Sequence, residues 1–242
     1  MMRLDKLLSE LTPVSRRELK QIIRAGRVTV NEICVVSGEQ KVDPERDRIC
    51  LDGTLLCYRR FRTFAMDKPT GVLTAARDRN QLTVLDLLPS EWKGLDLFPV
   101  GRLDKDTSGL LLLTNDGEFA HQVISPKYQV KKTYLARTEG TVTPEDQKAF
   151  AEGLILRDGL RTLPAVLEPC GRDRCFVTVE EGKYHQVRRM LSAVGKPVLE
   201  LRRLSIGGLK IAELSFQNGF CELSSEQCDL VLPGYHSKML KK

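Results

Sequence analysis

The sequence predicts an α+β protein in two parts. A small helix-rich N-terminal domain covers residues 1–58, a basic linker 59–62, and a larger domain with a mixed, largely antiparallel sheet 63–242. Three observations predict it. Apolar residues recur at helical spacing in two short segments near the N-terminus. Beyond the linker, strand-like segments and a few helices follow one another without the regular alternation of a doubly wound fold. The turn signals Asn115-Asp116-Gly117 and Asn218-Gly219 then punctuate the apolar runs.

The first element is MRLDKLLSEL, in which Leu4, Leu7, Leu8 and Leu11 form one apolar helical face. After the connection TPV, Ser15 and Glu18 make a capping box ahead of Leu19, Ile22 and Ile23, and Gly26 supplies a left-handed stop. At about 100° per residue, Arg16, Arg17, Lys20 and Arg24 lie along one side of this second helix. Arg27 continues the line into RVTVN, a strand by its alternation. A solvated basic face is the ordinary explanation of such a stripe. With Glu18 engaged in the cap, however, the stripe has little internal neutralisation, which suits a polyanionic partner.

In the larger domain FAMDKPTG reads as a strand that breaks into a turn at Pro69 and Gly71. Residues 101–117 read GRLDKDTSGLLLLTNDG, where Leu110 to Leu113 form a short buried strand that ends in a tight turn. Asp104 therefore sits on a loop feeding a core strand. Its ionised carboxylate cannot follow that strand inward without a partner, so it caps the loop, pairs with a cation, or is held at a cleft for chemistry. KTYLAR, CFVTVEE and ELSFQNGFCEL read as strands, the last a hairpin about Asn218-Gly219. TVTPEDQKAFAEG reads as a helix capped by Thr143 with Pro144 at its first position. A helix over 184–194 buries Val187, Leu191 and Val194, which leaves Arg188 at the margin of that face and turns Arg189 away.

The 242 residues are 41% hydrophobic and 29% charged, a composition able to bury a sizeable core. No apolar run approaches the about 20 residues that cross a bilayer, and the N-terminus lacks a signal-peptide core, so a cytoplasmic protein without membrane contact is expected. Seven scattered cysteines contain no C-x-x-C and read as reduced thiols. No metal-ligand spacing and no nucleotide-binding fingerprint is present, so neither a metal nor a cofactor is expected.

Residues 2–56 resemble the small RNA-binding domain of ribosomal protein S-four through RLDKLL, SRRELKQIIRAGRVTVN and a late D-x-I. Glu32 departs from the glycine that this family often carries after Asn31. The resemblance implies an RNA handle formed by Arg3, Arg16, Arg17, Lys20, Arg24 and Arg27. Farther along, DKPTG, GRLD-x-x-TSGLLLLTNDG, KKTYLA and EGKYHQVRRML occur in that order. Together they resemble the pseudouridine synthases, in the branch that modifies ribosomal RNA and carries a fused RNA-binding domain.

That resemblance implies an isomerase that needs no cofactor. It implies that Asp104 is the catalytic carboxylate, that Tyr134 stacks on the target uracil, and that Arg188 pairs with Asp104 and keeps it ionised in a desolvated pocket. It further implies that Lys68 and Pro69 shape the floor of the site, with Leu191 a structural neighbour. Arg102 and Thr107 hold the loop or meet phosphate, Arg189 is solvated or on RNA phosphate, and His185 is structural or an RNA contact rather than a base. The implied partner is ribosomal RNA or a ribosome-assembly intermediate, bound by a monomer. KKTYLAR and the stretch 181–209 look most like the enzymes of 16S small-subunit RNA, with the large-subunit enzymes as the alternative. DKDTS fits a phosphatase loop poorly, because Ser108 stands where threonine is usual. A non-catalytic assembly factor would not need Asp104, Tyr134 and Arg188 intact.

Overall fold

A computed structural model describes residues 1–12, 14–44, 46–56, 58 and 61–235. The chain forms two compact units, Met1–Arg60 and Phe61–Lys242. Arg59 and Arg60 of the expected linker lie outside the described residues, as does Cys57. Among the described residues no helix is long and apolar enough to cross a membrane.

The first unit runs β1 (Met2–Arg3), α1 (Leu4–Leu11), α2 (Arg16–Arg24), β2 (Val28–Val30), β3 (Ile33–Val35), β4 (Lys41–Val42), β5 (Ile49–Leu51) and β6 (Thr54–Leu55). Its strands pair in the order β3-β2-β5-β6, with β1 on β4. Leu4, Leu7 and Leu8 of α1 meet Leu19 and Ile23 of α2 over Val28, Val30 and Ile49 of the sheet. The capping box forms as the residue types require. Glu18 N–H donates to Ser15 Oγ at 3.4 Å and Ser15 N–H donates to Glu18 Oε2 at 3.2 Å, an arrangement that stabilises a helix end by about 1 kcal/mol. Between β2 and β3, Asn31 and Glu32 both take positive φ, 50° and 70°, which is the two-residue turn that matches strand twist. Asn31 also ties this turn to the late D-x-I: its Nδ2 donates to Asp47 Oδ1, and Arg48 N–H donates to its Oδ1, both at 2.9 Å.

The second unit runs β7 (Thr63–Lys68), β8 (Phe98–Pro99), β9 (Thr107–Thr114), α3 (Gly117–Ile124), β10 (Lys132–Thr138), α4 (Pro144–Glu152), β11 (Val166–Pro169), β12 (Arg174–Val179), α5 (Gln186–Ala193), β13 (Val198–Ile206), β14 (Leu209–Lys210), β15 (Phe220–Glu222) and α6 (Ser225–Val231). The sheet has the order β11-β12-β10-β13-β9-β7-β15, with β8 on β9 and β14 on β13. Every pair is antiparallel except β9 with β13. The four leucines of β9 divide by alternation. Leu111 and Leu113 enter a core with Phe64, Met66 and Leu191, while Leu110 and Leu112 enter another with Phe119, Val123 and Val231. Both faces of β9 are covered, so its sequence reads as an unbroken apolar run.

The β9 strand ends at Asn115-Asp116-Gly117 as expected, and Asp116 there caps α3: its Oδ1 accepts from Glu118 N–H at 3.0 Å and Phe119 N–H at 3.1 Å. The expected hairpin at Asn218-Gly219 keeps its turn, with φ 50° and 83°, but lacks a full first arm. Residues before the turn make a single bridge, Gln217 to Phe220. Leu214 and Phe216 instead pack against the core beside α3 and α6, while β15 pairs with β7.

The left-handed Glu32 generates a stability prediction. A residue with a Cβ in this region costs about 1–2 kcal/mol relative to its favoured backbone, and the exposed Glu32–Arg48 ion pair at 3.5 Å offsets little of it. Glu32→Gly is expected to stabilise the first unit by about 1 kcal/mol, less the added flexibility of glycine in the unfolded chain. Urea denaturation of the full chain, followed by amide exchange at β2 and β3, checks the sign.

Candidate active site

The Asp104 loop is assembled on an ammonium group. Lys68, at the end of β7, has a side chain that is 0% exposed. Its Nζ donates to Pro69 O at 3.0 Å, Asp104 O at 3.2 Å and Thr107 O at 3.0 Å. Two further contacts come from the same DKPTG turn and the residues after it. Gly71 N–H donates to Lys105 O at 2.7 Å, and Thr74 Oγ1 donates to Leu103 O at 2.8 Å. The backbone on both sides of Asp104 is therefore held from one neighbouring segment. Thr107 is 1% exposed, and its Oγ1 has no hydrogen-bond partner among the described residues.

With its backbone held in this way, the Asp104 side chain keeps 26% of its surface exposed and faces His185, whose Nε2 lies 3.4 Å from Asp104 Oδ1. The expected pairing of Arg188 with Asp104 is corrected by the structure. Arg188 takes Asp106 instead, with Nη2 at 3.0 Å from its Oδ2 and 3.2 Å from its backbone O. Its Nη1 donates to Val198 O at 3.4 Å. The guanidinium thus ties α5, β13 and the Asp104 loop together, and the imidazole occupies the approach to Asp104. Arg189 also departs from expectation: it is half-buried and forms an ion pair with Asp158. Leu191 is fully buried beneath these residues, as expected of a structural neighbour.

Tyr134 lies on β10, 9% exposed, in the same core as Leu103, Val187 and Leu191. Its hydroxyl is 3.4 Å from Nη1 of Arg203, a residue that lies outside the four motifs. Arg203 is 3% exposed. Its Nε donates to Leu110 O at 2.7 Å, and its Nη2 has no partner among the described residues. The sequence does carry a signal for it, because Arg203 shares the inward alternation of Leu201 on β13. Gly109, inside a motif, has a role that the motif alone does not reveal. A Cβ there would stand 2.2 Å from Arg203 O and 2.7 Å from Arg203 N, so only glycine lets β9 lie against β13 at this point.

In the first unit, Arg16, Arg17, Lys20 and Arg24 are exposed. Arg3, Lys6, Arg16, Arg17 and Lys20, together with Asp5, line a cleft of about 530 Å3. Two expected RNA contacts are already engaged. Arg3 pairs with Asp5 at 2.8 Å and Glu39 at 3.3 Å, and Arg27 pairs with Asp52 at 2.6 Å. Arg102, in the second unit, is exposed. Among the described residues no group of three or more His, Cys, Asp or Glu could hold a metal ion.

Residues 62–193 match the family described as RNA pseudouridylate synthase, and residues 2–49 match the S4 domain. The chain belongs to the RNA pseudouridylate synthase family. This synthase is 40% identical over 234 residues to the "Uncharacterized RNA pseudouridine synthase YtzG" of Bacillus subtilis, covering 95% of this chain and 98% of that one. It is also 40% identical over 214 residues to "Ribosomal small subunit pseudouridine synthase A" of Escherichia coli strain K12, covering 87% and 91%. A solved structure titled "Crystal structure of pseudouridylate synthase" matches with a TM-score of 0.66 at 33% identity, covering 96% of this chain and all of that one. The synthase is thus an isomerase that acts on RNA.

Burial of Lys68 sets a pH response. Desolvation pulls its ammonium down to about 8, with Asp104 and then Asp106 acting in the opposite direction. Because the folded value lies below the unfolded one, the unfolded chain holds the proton more tightly between about 8 and 10, and the lysine's contribution to global stability rises with pH across that window. The neutral amine, however, has one hydrogen fewer to donate and no charge to hold the loop carbonyls. Turnover is therefore expected to fall through pH about 8 without a parallel fall in melting temperature from this group. Lys68→Met should remove that alkaline limb and cost at least about tenfold in turnover at neutral pH. Single-turnover rates and thermal melts on the same samples check both.

Proposed function

We propose that this synthase isomerises a uridine of small-subunit ribosomal RNA with Asp104 as the reacting carboxylate. The observation that carries this reading is the state of Asp104: its backbone is fixed by Lys68 while its carboxylate stays partly exposed beside an imidazole. The Escherichia coli relative named for the small subunit, and the likeness of KKTYLAR and residues 181–209 to such enzymes, favour that RNA over the large-subunit alternative.

The reaction breaks the bond from C1′ to N1 of uracil, turns the freed base, and joins C1′ to C5. The proton displaced from C5 ends on N1, so the product has the composition of the substrate. An Asp104 oxygen serves either a covalent route, by bonding to sugar or base, or a glycal route, by taking a sugar proton. Tyr134 offers the ring against which the uracil turns, with Arg203 setting the phenol's orientation. Arg188 acts through Asp106: it holds that second carboxylate away from the reacting one and docks α5 on the loop. Lys68 and Pro69 supply the loop's support, and Arg102 flanks it as a phosphate contact, whereas Arg189 can contribute only by exchanging Asp158 for phosphate.

The first unit serves as the handle in this reading, bound to ribosomal RNA or an assembly intermediate. Arg16, Arg17, Lys20 and Arg24 contact phosphates, which position an RNA without reading its bases. Arg3 and Arg27 can contribute only by exchanging their carboxylate partners for phosphate.

Asp104→Asn is expected to abolish pseudouridine formation while leaving folding and RNA affinity within about twofold, since the replacement is nearly isosteric but lacks the nucleophile and base. Mass spectrometry of 16S ribosomal RNA from a deletion strain complemented with each form locates the product. Turnover within tenfold of wild type would reject the assignment. Replacing Arg16, Arg17, Lys20 and Arg24 together by Ala should flatten the slope of log K against log salt by up to about 3.6, at about 0.7–0.9 per lost contact. Equilibrium binding at several salt concentrations measures it.

A further inference from the structure

Beside Asp104 the loop joining β12 to α5 carries two stacked rings, Tyr184 and His185. Tyr184 is 75% exposed. Its ring stacks on His185 with centroids 3.9 Å apart and planes 16° from parallel, and the imidazole in turn reaches Asp104 Oδ1 at 3.4 Å. A single exposed tyrosine on a surface needs no explanation. Here the surroundings supply one, because the loop's polar groups hold the loop itself and leave the tyrosine face uncovered.

Glu181, 4% exposed, accepts from Leu163 N–H at 2.9 Å and from Gln186 Nε2 at 2.7 Å. Gln186 returns a bond by accepting from Lys183 N–H at 2.9 Å, which closes the loop on itself. Lys183 Nζ donates to Arg161 O at 2.7 Å, and Arg189 Nη1 donates to Tyr184 O at 3.4 Å. His185 is held at φ 48°, a left-handed conformation that costs a residue with a Cβ about 1–2 kcal/mol. Such strain persists where neighbouring contacts over-determine the backbone, and it concentrates at functional sites. In this conformation the imidazole lies beside Asp104 and the phenol stacks on the imidazole.

We infer that Tyr184, backed by His185, is a stacking platform for an unpaired nucleobase flanking the target uridine. The inference rests on the reading of Asp104 as the reacting carboxylate. The platform has a π-face and no charge of its own, so it suits a base rather than a phosphate. It lies one ring beyond the imidazole that meets Asp104, so a base stacked on it occupies a position neighbouring the uridine under attack. Stacking tolerates any base, since each has a π-face. The platform therefore reads whether the flanking nucleotide is unpaired and can leave the helix, and helps to select uridines in loops or opened helices. It is distinct from Tyr134, which is buried in the core on β10.

The test is a double-mutant cycle between the ring and the RNA. The probes are fragments of 16S ribosomal RNA: the fragment that wild type converts or, were none converted, the fragment bound most tightly. Each nucleotide near the target, or along the loop of the bound fragment, is replaced singly by an abasic residue. Kd is measured with Tyr184→Ala and with Tyr184 intact, both in the Asp104→Asn background, so that binding is read independently of product. Tyr184→Ala is expected to weaken binding of the intact fragment about ten- to a hundredfold. At one flanking position the abasic residue should cost as much, and the two losses should fail to multiply. Tyr184→Phe and Tyr184→Trp should restore affinity, because each keeps a ring. In the active protein, Tyr184→Ala should raise KM by a similar factor with kcat within about threefold. Affinity within twofold of the intact protein, or losses that multiply at every position, would overturn the platform. Turnover by Asp104→Asn within tenfold of wild type, together with the expected binding cycle, would reject the Asp104 reading while sustaining a base-stacking role for Tyr184.

Discussion

The buried ammonium of Lys68 is the constraint on which the rest of the site depends. Taking an ammonium out of water costs several kcal/mol, and here backbone carbonyls, with the nearby charges of Asp104 and Asp106, offset part of it. Because two of those carbonyls belong to Asp104 and Thr107, the lysine can be buried only if the loop adopts its working shape. Burial of the lysine and placement of the Asp104 backbone are thus one interaction.

The same device recurs across the sheet. Lys132 is 7% exposed and donates to Val130 O at 2.8 Å and Val123 O at 3.3 Å, and Arg203 donates to Leu110 O. Among the described residues none of these three cations makes a salt bridge. Each fixes the end of a strand or a loop through its carbonyls rather than through a carboxylate. Arg203 is able to do so because Gly109 lets the two backbones touch, at the one parallel pairing of the sheet. The Asp104 loop enters β9 at this pairing, so the side chains of two strands and one helix converge on it.

The first unit distributes its charges differently. Arg3 and Arg27 are held by acids that belong to its own fold, whereas the α2 arginines and Lys20 project from a helix whose one acid is engaged in its cap. Exposed pairs of this kind contribute little to stability. Arg16, Arg17 and Lys20 of that helix, with Arg3 and Lys6, line a concave surface.

Much of this is legible in the sequence because it rests on local chemistry. Ser15 with Glu18, Thr143 with Pro144, and the spacing of Leu4, Leu7 and Leu8 act through neighbours three or four residues away, so the chain specifies them by itself. The order of the four motifs likewise marks Asp104, Tyr134 and Lys68, and a continuous run of four leucines announces a strand covered on both faces. Long-range pairing is not legible in the same way. Which carboxylate Arg188 meets depends on how a helix docks on a loop 82 residues away, and the difference between Asp104 and Asp106 is a single turn of backbone. Arg203 is one basic residue among several until β13 comes to lie beside β9, and so is His185 until a left-handed backbone aims its ring. Periodicity and motif order are properties of neighbours along the chain. Partner choice among like charges depends on distances of a few ångströms between segments far apart in sequence, and only the packed sheet decides them.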